Sequence, residues 1–432
     1  MLLNAGSIVG TTVVTGVLGF AYWWAAAREF PPQAVGLASA AISAMLLLGA
    51  ICALGMGTLL IGELTRQPGK EASLISAALI LVGGVGACGG IVFALVAPLV
   101  SADFQAFRAN VGNLILFAVG VSLTTIIIVL DQALIGLLKG SFQFWRNALF
   151  AVAKLALLIL AGFWLLKVGE TIYGTWAAGN IISLIPLAGL MVLKGDRSIR
   201  AFTPNWKLLR KLRSPALEHH LLNLILQVPT SALPLLVTIL LSATTNAWFY
   251  MSWMLSGLVF IASYALTTVL YAINPGHSAE LTRKIRLTLN LALLSSFLGN
   301  CMLQIGAPWI LNLFGHIYAQ QATWSLRILG LGAFPMIIKY HYIAVSRIHG
   351  KMARVAIPVA IGSLLELGIA ALGARLDGLV GLSLGWVVAV CVEAVFMFPA
   401  VYRAAFPGGI LPLRQVKQVL VTGHHDKTPV GE

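Results

Sequence analysis

Six ionisable side chains fall inside long apolar runs, where a charge is costly: Asp131, Lys154, Lys339, His341, Glu366 and Glu393. Glu218 stands at the edge of another run. A charge at such depth needs a partner, a water-filled cavity or a function. The carboxylates Glu218, Glu366 and Glu393 have the chemistry to couple a proton or a sodium ion. The cations Arg28, Lys154 and Lys339 can hold an anionic group. Asp131 and Gln132 face Arg146 and Asn147 across a short turn. That placement predicts a structural pairing of Asp131 with Arg146 or with Lys154. His220, Asn223 and Gln227 recur at i, i+3 and i+7 and share one helix face. Pro229 and Pro234 follow and are expected to bend or break that helix. The stripe then either lines a cavity or bonds to neighbouring helices.

Other chemistries find no residues to carry them. The four cysteines (Cys52, Cys88, Cys301, Cys391) lie in apolar runs with no CxxC or Cys/His spacing. His424-His425 in the tail is at most an adventitious metal ligand. No metal, cofactor or catalytic residue is expected. The predicted outer loops have about ten residues or fewer, so no outer domain is left to house an enzyme's active site.

These residues must be positioned by membrane helices. The 432 residues are 59% hydrophobic and only 10% charged, against about 25% charged in soluble domains. Apolar runs predict an all-α polytopic protein with twelve spans: 5–27, 36–62, 73–100, 110–138, 145–167, 170–193, 217–241, 246–273, 287–314, 323–345, 353–374 and 378–401. The net charge of +14 would suit nucleic acid. The cations instead sit in short loops between spans, which argues for orientation and against a nucleic-acid partner. With both termini cytoplasmic, 21 of the 28 Lys and Arg lie inside and five at outer ends. The run from Lys194 to Arg213 alone holds seven. Trp23, Trp24, Trp309 and Trp324 fall near outer helix ends, as an aromatic belt would.

An offset of about 211 residues superposes the six first-half starts on the six second-half starts. Each half has an even number of spans, so the two should be related by a pseudo-two-fold along the membrane normal. The predicted organisation is a six-helix bundle over residues 1–193, a basic linker over 194–216, a second six-helix bundle over 217–401 and a disordered tail over 402–432. Lys154 maps near Glu366 under the offset. It is expected to act as a latch neutralised by Asp131 or Glu366, or to meet an anionic substrate group.

The stretch AREFPPQAVGLASAAISAMLLLGAICALGMGTLLIG from Ala27 to Gly62 resembles bacterial polysaccharide and O-antigen flippases. It does so through Ala27-Arg28, Pro31-Pro32, Val35-Gly36 and Leu54-Gly55. Leu130–Leu158 and Leu233–Ala272 are similar to other helix pairs of that family. The resemblance implies a V of two bundles, alternating access in a bacterial inner membrane, and flipping of an undecaprenyl-diphosphate-linked oligosaccharide. It makes Arg28 a plausible substrate contact. Membrane lipids, a glycan polymerase and other polysaccharide-assembly proteins are the implied partners. The competing reading is a multidrug and toxin extrusion antiporter. The scarcity of first-half membrane carboxylates, Asp131 alone, weighs against it.

The topology is open to test. In a background lacking the native cysteines, Asn205→Cys should resist an impermeant thiol reagent added outside whole cells. Strong outside labelling would overturn the cation-based orientation.

Overall fold

The computed structural model describes residues 2–66, 68–193, 203–206, 209, 213–273, 278–350 and 352–407. Its first lobe contains α1 (Leu2–Glu29), α2 (Pro32–Cys52), α3 (Met56–Glu63), α4 (Glu71–Val100), α5 (Val111–Gly136), α6 (Gly140–Trp164) and α7 (Gly169–Leu193). The second contains α8 (Arg213–Leu240), α9 (Ala243–Ile273), α10 (Ser278–Asn312), α11 (His316–Leu331), α12 (Ala333–Ile348) and α13 (Met352–Ala405). Among the described residues, helices cover all twelve spans. The architecture is all-α, polytopic and two-lobed with pseudo-two-fold symmetry. Most of the linker and most of the tail lie outside the described residues.

The breaks follow from local chemistry. Pro31 is extended, and Pro32 starts α2 where no helical N–H is needed. Leu54 (φ 50°) and Gly55 (φ 73°) interrupt the second span between α2 and α3. The tenth span bends by 40° between α11 and α12. In lipid, carbonyls released at such a bend must find partners. Near it, the Gly330 carbonyl accepts from Asn300 Nδ2 at 2.9 Å and the Arg327 carbonyl from Gln304 Nε2 at 2.8 Å. The last two spans are joined inside α13 by a kink at Asp377 and Gly378 (φ 53°). Of the bend or break expected on α8, the break is absent, because helix is continuous through Pro229 and Pro234. The carbonyl four residues before Pro229 cannot receive its helical bond. That carbonyl, Ile225 O, accepts from Ser363 Oγ of α13 at 3.0 Å.

The lobes meet mainly where α2 packs against α8 and α9. At the predicted outer end, Asn246 Nδ2 donates to the Gly36 carbonyl (2.8 Å) and to Ser39 Oγ (3.0 Å). A β-carbon on Gly36 would collide with the Ala243 carbonyl. Trp23 is buried against Tyr250 with ring centroids 4.6 Å apart, so it is a packing residue and not part of an aromatic belt. Trp309 and Trp324 are exposed as a belt requires. The α1 end adds two hydrogen bonds to the Leu313 carbonyl, from Trp24 Nε1 (2.9 Å) and Arg28 Nε (2.7 Å). Elsewhere α1 leans chiefly on α6. The lobes are therefore closed at this end.

Gly36→Ala should open the closure, since overpacking costs about 1–3 kcal/mol. Outside labelling of a cysteine introduced at Ser43 should rise in that variant. Unchanged labelling would show that the contact does not govern closure.

Candidate functional site

The second lobe gathers Lys339 from α12 and two glutamates of α13, Glu366 and Glu393, one from each side of its kink. Lys339 Nζ lies 2.5 Å from Glu366 Oε1 and 2.8 Å from Glu393 Oε2. All three residues are buried. Glu366 Oε2 also accepts from Trp386 Nε1 at 2.6 Å. Glu393 is less well served. Its contact with Lys339 is an ion pair and lacks directed hydrogen-bond geometry, and its Oε1 has no partner. The missing side chain of Gly362 makes room for the carboxyl, because a β-carbon there would overlap it. Two carboxylates therefore share one ammonium in an enclosed place. One added proton would neutralise the group. His341 points elsewhere, to the Ile337 carbonyl (2.8 Å) and Thr288 Oγ1 (3.1 Å).

The first lobe holds a different centre. Lys154 of α6 is buried, with Nζ 4.0 Å from the Trp176 ring centroid, 4.8 Å from Phe150 and 4.9 Å from Tyr22. Desolvated cation–π contacts are worth about 2 kcal/mol or more. Tyr22 is fixed by its hydroxyl, which bonds the Ile172 carbonyl at 2.7 Å and Thr175 Oγ1 at 3.1 Å. The lysine stem passes Gly179, where a β-carbon would come within 2.9 Å of Lys154 Cβ. No carboxylate of the described residues lies at ion-pair distance. Asp131 is taken by Arg146 through two bonds of 2.9 and 2.7 Å, and Glu366 by Lys339. The latch expected of Lys154 is therefore absent from this conformation.

The remaining expected residues scatter. Arg146 is buried between Asp131, Asn147 Oδ1 (2.9 Å) and Ser183 Oγ (3.3 Å), as a structural tie. Arg28 serves the outer closure. His220 leaves Nε2 buried without a partner, and Gln227 Nε2 reaches Ser231 Oγ at 3.4 Å. The side chains of Asn223 and Glu218 lie outside the described residues. Tyr22, Phe150, Trp176 and Trp386 were not among the residues expected from sequence to form the site. A signal existed: under the 211-residue offset Trp176 falls one residue from Trp386, just as Lys154 falls one from Glu366. Among the described residues no group of His, Cys, Asp or Glu could hold a metal ion.

No protein-family model and no curated protein matches the sequence. Solved structures do share the fold. An inward-facing multidrug resistance MATE family transporter of the MOP superfamily superposes with a TM-score of 0.70 at 16% identity, over 96% of this chain and 99% of that one. The outward-facing conformation of a multidrug resistance MATE family transporter gives 0.59 at 15% identity, over 92% and 94%. A MOP superfamily transporter from Pyrococcus furiosus, described as having a binding pocket of reverse polarity that suggests a different function, gives 0.62 at 15%, over 94% and 97%. The chain thus shares the fold of these transporters.

These likenesses correct the resemblance to polysaccharide flippases. The lipid-linked oligosaccharide substrate and the glycan-assembly partners fall with it. The physical reason lies in the residues that carried the resemblance. Pro31-Pro32 starts α2, Gly36 admits Ala243, Leu54-Gly55 breaks a span and Arg28 bonds the Leu313 carbonyl. All four build the two-lobed frame, and none touches a candidate substrate site.

Removing one partner of a buried ion pair typically costs about 3–5 kcal/mol. Lys339→Ala should lower the melting temperature in detergent markedly, with partial recovery in Lys339→Ala/Glu366→Gln. A single variant as stable as the native protein would mean that the two carboxylates do not depend on Lys339.

Proposed function

We propose that the protein is a proton-coupled antiporter of the multidrug and toxin extrusion type, exporting small organic drugs and toxins by alternating access. The observation that carries this reading is the Lys339–Glu366–Glu393 group, with Glu393 Oε1 unpartnered. A buried carboxylate with a free oxygen is a proton acceptor, and titrating it changes the charge of a packed junction. Lys339 occupies the position between the carboxylates that a sodium ion would need, so the coupling ion is a proton. The three side chains come from two helices and both sides of a kink, so a change in their charge alters how α12 and the two arms of α13 hold together. The fold shared with multidrug resistance transporters supports the same reading. The weight given to a carboxylate-poor first lobe is thereby removed, because the coupling carboxylates lie in the second.

The test is transport of ethidium by proteoliposomes under an imposed pH gradient. Glu393→Gln, a mimic of the protonated form, should retain ethidium binding and lose gradient-driven accumulation by about tenfold or more, equivalent to some 1.4 kcal/mol of coupling. Accumulation at the native rate in both Glu393→Gln and Glu366→Gln would overturn the coupling role. Transport driven equally by a sodium gradient at uniform pH would overturn the choice of ion.

A further inference from the structure

The first-lobe centre is what organic-cation recognition requires, already filled by the chain's own ammonium. Three aromatic faces converge on Lys154 Nζ within 4.9 Å. Ring faces carry negative quadrupole potential, so they attract cations and repel anions. An anion brought beside Lys154 would have to meet those faces, which makes this a poor anion site despite its lysine. The box itself is rigid. Trp176 packs edge-on against Phe150 (5.1 Å) and Tyr22 (6.1 Å), and the Tyr22 hydroxyl is doubly bonded to α7.

We propose that Lys154 is a tethered competitor for an organic-cation site formed by Tyr22, Phe150 and Trp176. This rests on the antiporter reading and names the substrate class and its site. An incoming monovalent organic cation takes the place of the ammonium, which leaves as a neutral amine after giving its proton to water. One positive charge occupies the box before and after, so the exchange leaves its electrostatics unchanged. One cation bound then means one proton released.

Among the described residues, no other group is placed to buffer this exchange. The helices packed against α6 are α1, α5 and α7. From α1, Tyr22 faces the lysine, and Glu29 is engaged with Lys167 at 3.6 Å. From α5, Asp131 is held by Arg146. From α7, Glu170 accepts from Asn113 at 3.2 Å, and Tyr173 turns to Phe107 and Phe117. Beyond α1, Tyr250 packs against Trp23, the neighbour of Tyr22.

The experiment is calorimetric binding of tetramethylammonium to the full-length protein in nanodiscs, at several pH values and in buffers of different ionisation heat. The native protein should bind more tightly by up to about tenfold per pH unit while the lysine titrates, releasing one proton per cation. Lys154→Ala and Lys154→Met should bind at least as tightly as the native protein at high pH, without pH dependence or proton release. Lys154→Arg, whose charge is permanent, should not bind at any pH. Trp176→Ala in the Lys154→Ala background should lose binding. Native binding without proton release, or no binding in either folded neutral variant, overturns the proposal. So does binding of benzoate that Lys154→Ala abolishes, since Lys154 would then be an anion site. The antiporter reading fails separately, through the Glu393→Gln transport assay: tetramethylammonium and its displaced proton can be measured with no gradient present.

Discussion

Within hydrocarbon, every charge and every carbonyl that leaves its helical bond must be answered from inside the protein. The Ser363 hydroxyl meets the carbonyl that Pro229 leaves without its helical bond. Asn300 and Gln304 cover the bend between α11 and α12. Asn246 serves a carbonyl across the lobe interface. Charges obey the same accounting: Arg146 finds Asp131, and Lys339 finds two glutamates. Lys154 is answered by aromatic faces alone. Among the buried charges, the answer is incomplete at Glu393 Oε1 in one lobe and replaceable at the Lys154 ammonium in the other.

The pseudo-two-fold sets these two places in correspondence. Lys154 and Glu366, and Trp176 and Trp386, fall one residue from the same offset. Each lobe thus presents an indole beside an ionisable group on its fifth span. The chemistry has diverged around that common plan. In the second lobe the indole N–H donates to a carboxylate. In the first, the indole face receives an ammonium. A repeat can keep its geometry and reverse its polarity, because Trp offers a donor edge and an electron-rich face on the same side chain.

Depth was legible in the sequence, and azimuth was not. Apolar runs placed Lys154, Lys339, Glu366 and Glu393 inside the membrane, and each is buried in the structure. Hydropathy does not tell which direction a side chain points around its helix. Lys154 was therefore matched with Glu366 through equal depth, whereas each lobe keeps its own centre. Asp131 and Arg146 were legible because only a short turn separates them. The kink at Asp377–Gly378 coincides with the expected start of the last span at 378, since Gly378 adopts a positive φ that favours glycine. The break near Gly55 was less legible: Leu54 also takes a positive φ, and no propensity forecasts that for leucine. Motifs such as Pro31-Pro32 identified a frame shared by transporters of different cargo, and a frame does not name its cargo.

The route between the first-lobe centre and lobe closure is one residue long. Tyr22 forms a wall of the aromatic box, and the next residue, Trp23, packs on Tyr250 of the opposite lobe. Five residues further, Arg28 bonds the Leu313 carbonyl. Most of α1 otherwise rests on α6, the helix that carries Lys154. A movement of α1 that separates Trp23 from Tyr250 must shift Tyr22 relative to Lys154 or carry α6 along. Because packed cores switch between discrete arrangements and do not deform smoothly, box and closure behave as one unit. Under the proposed exchange at Lys154, what fills the box would bear directly on whether the lobes stay closed at their outer end.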